Sequence, residues 1–201
     1  MTITETYLPQ STRRNHLRIP GEGGIWVFIF GDLLVFSLFF ITFLMYRAEN
    51  VALFTESQIS LNESFGVFNT ALMLSSSWFV AMGVTAVRRG MFKVPLGLFS
   101  LAFVCGAGFG LVKFFEYGEK LGAGITLSTN DFYMYYYLLS AIHMFHVLIG
   151  MGVLMFIIYF CKTREGVYTE ADIRNIESGS CFWHVVDLLW IVLFALLYLV
   201  K

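Results

Sequence analysis

The chain has 201 residues, 58% of them hydrophobic and only 13% charged, with 22 Phe and 10 Tyr. Soluble domains carry about 25% charged residues, so the composition excludes an ordinary soluble protein and predicts an all-α, polytopic membrane protein. The net charge of −1 excludes a nucleic-acid-binding footprint. Cys105, Cys161 and Cys181 form no CxxC pair, which argues against a disulfide framework or zinc site; they read as small membrane-facing residues.

Met1 to Gly23 reads as a polar amino-terminal arm with Arg13, Arg14, His16 and Arg18 and no signal-peptide pattern. Pro20 to Gly24 breaks any helix before the first span. Five apolar segments follow, at about 24–46, 65–87, 95–117, 132–161 and 181–200, each long enough to cross about 30 Å of hydrocarbon. Together they read as one five-helix domain over 24–201. The connections Arg47 to Ser64, Gly118 to Asp131 and Lys162 to Ser180 read as polar loops, and Arg88 to Lys93 as a short basic link. Gly106 and Gly110 make a small-xxx-small pair that lets another helix approach.

Orientation follows the basic residues. Arg13, Arg14, Arg18, Arg88, Arg89, Lys93, Lys162, Arg164 and Arg174 fall on one side; Arg47, Lys113, Lys120 and Lys201 fall on the other. The amino terminus is therefore expected in the cytoplasm and the carboxyl terminus outside. The cluster Tyr133, Tyr135, Tyr136 and Tyr137 is then expected in the outer aromatic belt.

Polar side chains inside spans are costly and mark candidate sites. Asp32 lies about 12 Å along the first span, near mid-depth. It reads as a helix–helix contact or a proton relay. His143 and His146 share a helix face at i, i+3 at a similar depth, so a hydrogen bond from one of them to Asp32 is expected. Two histidines on one helix could ligate haem or a metal; a hydrogen-bonded structural pair is the alternative. Lys113 and Glu116, with Glu119, fall at the outer end of the third span, where they read as an interfacial ion pair. On the last span Trp183, Asp187 and Trp190 share one face, with His184 beside it. Ser75, Ser76 and Ser77 read as small packing residues. No nucleophile–base pair, phosphate loop or copper-type ligand set is present.

HMFHVLIG (143–150) followed by FWHVVDLLWIVLF (182–194) resembles subunit III of the haem-copper oxidases. That family carries a His-x-x-His-Val-x-x-Gly helix and a Trp-His-x-Val-Asp-x-x-Trp helix as its last two. FIFGDLLVFSLFF (28–40), Asn69-Thr70 and Phe115-Glu116-Tyr117 extend the likeness over about 22–200. The family's long form has seven helices, so this chain resembles a five-helix form. PGEGGIWVFIFGD, NTALMLSSSWFVA and AGITLSTNDFYMYY look most like the form associated with nitric oxide reductase. Asp32 stands where the family often has Glu.

The resemblance implies a non-catalytic accessory subunit of a respiratory electron transport chain in the bacterial cytoplasmic membrane. Its partner would be a catalytic oxidase or nitric oxide reductase subunit. Haem, with copper or non-haem iron, would belong to that partner, and no cofactor to this chain. Phospholipid is an implied ligand. Asp32, Glu116, His143 and His146 are then lipid- or proton-related candidates, Glu116 beside a lipid headgroup. Trp183, His184, Asp187 and Trp190 form the helix-five interface motif. Two other readings remain: an assembly factor for nitric oxide reductase, and a small independent proton or solute carrier using Asp32, His143, His146 and Asp187.

Overall fold

A computed structural model describes residues 21–200; Arg13, Arg14, His16, Arg18 and most of the polar arm, with Lys201, lie outside the described residues. The elements are α1 (Gly23–Glu49), α2 (Val51–Ile59), α3 (Glu63–Arg88), α4 (Lys93–Gly122), α5 (Asp131–Arg164) and α6 (Glu170–Phe194), closed by a π turn (Ala195–Leu199). Five helical segments are long and apolar enough to cross a membrane: α1, α3, α4, α5, and α6 with its π turn. The protein is an all-α, multi-pass membrane bundle.

Side-chain caps set several helix starts. Asn62 accepts from Ser64 N–H at 3.0 Å and Asn130 from Tyr133 N–H at 2.9 Å. Thr169 and Asp172 form a reciprocal capping box at the start of α6, with bonds of 2.9 and 3.2 Å. That box corrects the expectation of a loop over Lys162 to Ser180. Helix α6 begins at Glu170, not near Cys181, because capped polar turns extend it beyond its apolar run. The expected loop Arg47 to Ser64 is likewise corrected: it contains α2, whose Phe54 is buried edge-on against Phe43 and Phe132. Gly90, at φ 67°, ends α3 by donating to the Val87 carbonyl at 2.9 Å.

Helix α3 packs on α4 and α6, and α5 packs on α4 and α6; α1 lies against α5 and α6. Trp183 is wedged at the centre. A Cβ built on Gly150 would stand 2.7 Å from its indole, and one on Gly106 2.9 Å. The indole N–H donates to Ser76 Oγ at 3.1 Å, and Ser76 donates to the Ala102 carbonyl at 2.9 Å. One side chain of α6 thus touches α3, α4 and α5. The expected pairing of Gly106 with Gly110 is corrected: Gly106 receives a ring rather than a helix backbone, and Gly110 faces open space. Cys161 is buried rather than membrane-facing, while Cys105 and Cys181 are half-buried; all three are free thiols.

Candidate functional site

Three polar clusters sit within the bundle. The first joins α1 to α5. His146 Nε2 lies 3.0 Å from Asp32 Oδ1, and His146 Nδ1 lies 2.8 Å from the Ile142 carbonyl. A carbonyl only accepts, so Nδ1 carries a proton. One further proton then lies between Nε2 and Oδ1, either on the imidazole beside a carboxylate or on the carboxyl beside a neutral ring. The pair can hold that proton without a net charge, which is the economical state in low dielectric. Phe36 packs edge-on against the imidazole at 5.3 Å.

The expected contact from Asp32 to a histidine is therefore present, and its partner is His146. The expectation of a hydrogen-bonded histidine pair is corrected. His143 is fully buried, and neither ring nitrogen has a hydrogen-bond partner among the described residues. Its ring lies against Phe109 at 5.6 Å and Trp190 at 5.4 Å. The 300° turn between i and i+3 leaves the two rings on diverging sides of the shared face, one toward α1 and the other toward the bundle centre.

The second cluster joins α4, α5 and the carboxyl-terminal π turn. Lys113 Nζ lies 2.9 Å from Glu116 Oε2 and donates to Tyr198 Oη at 2.9 Å. Glu116 Oε1 accepts from Tyr136 Oη at 2.8 Å and also from Tyr198 Oη. The rings of Tyr136, Trp190, Tyr198 and Tyr117 surround the ammonium at 5.0–5.8 Å. Lys113 and Glu116 are each 1% exposed, so the reading of a lipid-facing interfacial pair is corrected. Tyr198 covers them from the far end of the chain. The expected aromatic belt is corrected in the same way: Tyr133, Tyr135 and Tyr136 are buried, and Tyr137 is half-buried, donating to the Ile125 carbonyl at 2.9 Å. Glu119 is exposed and takes no part in the cluster.

The third cluster is the face of α6. Trp183, Asp187 and Trp190 are buried along it. Trp190 donates to Thr70 Oγ1 at 3.0 Å, and His184 Nδ1 lies 2.6 Å from Ser77 Oγ. Asp187 Oδ1 is buried without a hydrogen-bond partner among the described residues. Ser76 and Ser77 thus bond Trp183 and His184 of this face rather than serving as mere packing residues.

Sequence reading missed two side chains that fasten the chain's end. Gln58 of α2 donates to the Leu196 carbonyl at 2.9 Å and the Leu197 carbonyl at 3.3 Å; Arg47 of α1 donates to the Val200 carbonyl. Both are buried. They serve backbone acceptors that the end of the helix leaves open. Their only signal in the sequence is a polar residue close to an apolar run, which every loop also provides.

Among the described residues, no group of three or more His, Cys, Asp or Glu is arranged to hold a metal ion.

The family model for cytochrome c oxidase subunit III matches residues 10–201. The chain belongs to that family. This subunit III-type chain is 27% identical over 178 residues to the probable cytochrome c oxidase subunit 3 of Nocardia farcinica, covering 89% of this chain and 87% of that protein. It is 29% identical to the quinol oxidase subunit 3 of Bacillus subtilis, over 88% and 85% of the two chains. To the cytochrome bo(3) ubiquinol oxidase subunit 3 of Buchnera aphidicola it is 26% identical, over 88% and 84%. The match spans all three clusters, so Asp32–His146, Lys113–Glu116 and the Trp-His-Asp face all belong to the subunit III domain.

Proposed function

We propose that the protein is an accessory membrane subunit of a haem-copper oxidoreductase, packed against a catalytic subunit that carries the haems, and that it prolongs that subunit's working life during turnover. The family match over residues 10–201 carries this reading. Relatives named as cytochrome c oxidase subunits and as quinol oxidase subunits leave both donors open to a chain of this type. We place it in the cytoplasmic membrane of a bacterium with the amino terminus inside, from the distribution of basic residues. The segments at 20–32, 69–81 and 123–136 favour nitric oxide reductase as the partner complex.

In this role the chain's own residues act by position. Trp183 and the Lys113–Glu116 cluster hold α3 to α6 as one body. Asp32 and His146 attach α1 through a shared proton. Neither cluster carries out an oxidation.

Purification of the tagged full-length chain from its native membranes, followed by haem spectroscopy, tests the reading. A Soret band should co-elute in fixed proportion, and deletion of the gene should shorten the time over which the oxidase sustains turnover. A chain that is absent from the mature complex, but whose deletion leaves the partner without haem, is an assembly factor. A chain that elutes alone, with no effect of deletion on haem or turnover, fits the carrier instead.

A further inference from the structure

Helix α3 packs on α4 and α6, and α5 packs on the same two, so α3 and α5 face each other diagonally across the core. The Trp183 indole meets Ser76 of α3, Gly106 of α4 and Gly150 of α5 in one layer. One heptad outward along each helix stand Asn69, Lys113, His143 and Trp190. A heptad is about two helical turns, so these four share the next level. Each of them is at most 1% exposed. Trp190 touches the members of its layer: its N–H donates to Thr70 Oγ1, beside Asn69, at 3.0 Å. Its ring lies 5.4 Å from the His143 ring and 5.0 Å from Lys113 Nζ. Asn69 Oδ1, Asn69 Nδ2 and both His143 ring nitrogens are buried without a hydrogen-bond partner among the described residues. Lys113 has a third N–H donor beyond those that serve Glu116 and Tyr198.

We propose that this layer is an internal water site, with Asn69 and His143 bonded to the same water across the core and Lys113 as a further donor. Buried carboxamides and imidazoles are bonded to protein or to ordered water, because an unanswered one forfeits its hydration. A neutral imidazole offers one N–H and one acceptor nitrogen, and a carboxamide offers both functions. Water matches either group in either sense. A buried water takes about three polar partners, which Asn69, His143 and Lys113 supply from three helices. The water ties α3 to α5, the diagonal pair, at the level where Trp190 replaces Trp183. The site belongs to the helical bundle and is independent of the oxidase reading.

Solid-state NMR on the isotope-labelled full-length chain in lipid bilayers tests the site, with magnetisation started on water protons. Loss of signal in His143→Phe assigns the His143 ring nitrogens. The Trp183 indole N–H is the dry reference, since its partner is Ser76 Oγ. The His143 ring and the Asn69 carboxamide should both gain signal from water several-fold faster than the Trp183 indole. Asn69→Leu fills the site from α3 and should slow His143 to the Trp183 rate. The proposal is overturned if His143 gains signal no faster than Trp183, or if Asn69→Leu leaves its rate unchanged. A direct hydrogen-bond coupling between the Asn69 carboxamide and the His143 ring also overturns it. Should Asn69→Leu fail to fold, the unaltered chain decides: an Asn69 carboxamide that gains signal only at the Trp183 rate removes the shared water.

Discussion

His146 Nε2 stands 3.0 Å from Asp32 Oδ1, across the boundary between α5 and α1. Asp32 Oδ2 is buried without a hydrogen-bond partner among the described residues, so this one bond is what answers the carboxyl. Asp32→Ala strands the imidazole, whereas Asp32→Asn keeps a group that can bond to it. The alanine variant is expected to lose about 2 kcal/mol, the cost of an unanswered buried polar group, and to melt below the asparagine variant in the same detergent. Equal melting of the two would remove the shared proton as the link between these helices.

Lys113 and Glu116 compensate each other in a closed aromatic pocket. Removing one leaves a buried charge unanswered, which costs about 3–5 kcal/mol; removing both with apolar groups of similar shape is often close to neutral. Lys113→Met should therefore lower the melting temperature more than Lys113→Met combined with Glu116→Leu. A double variant less stable than the single one would show that the Tyr136 and Tyr198 hydroxyls depend on the carboxylate more than the carboxylate depends on the lysine.

The glycines of α4 and α5 give a packing test. A Cβ on Gly150 would lie 2.7 Å from the Trp183 indole, while one on Gly110 meets nothing within 4 Å. Gly150→Ala should cost about 1–3 kcal/mol, as overpacked cores do, and Gly110→Ala should leave stability unchanged or slightly raised through helix propensity. Thermal melting of the two variants side by side reads the difference. Trp183→Leu should relieve the Gly150→Ala penalty, so the two costs are expected to be non-additive.

The distribution of Lys and Arg predicts that a reporter active only outside the cytoplasm will give signal when fused after Lys201 and none when fused after Arg89. The opposite pattern would invert the chain and carry Arg89 and Lys93 to the outer leaflet.

Properties that are local along the chain are legible in its amino-acid order. Five spans are legible because hydrocarbon thickness imposes a minimum apolar length on each segment separately. The depth of Asp32 and of the two histidines follows from the helical rise. Helix ends were less legible, as α6 illustrates. Its apolar run begins near Cys181, but hydropathy marks the edge of the bilayer, and the Thr169–Asp172 box carries the helix beyond that edge.

Which side chains meet depends on how the helices pack. Residues 143 and 146 are equivalent by depth, yet α1 lies on the side of His146, and His143 is left among Phe109 and Trp190. Lys113 and Glu116 look interfacial because they end an apolar run. They are enclosed because Tyr198, 85 residues from Lys113 in sequence, folds over them while Gln58 and Arg47 hold the carbonyls of that same turn. Burial is a property of neighbours from several helices at once, and a one-dimensional pattern records the length and polarity of each helix but not which helices surround it.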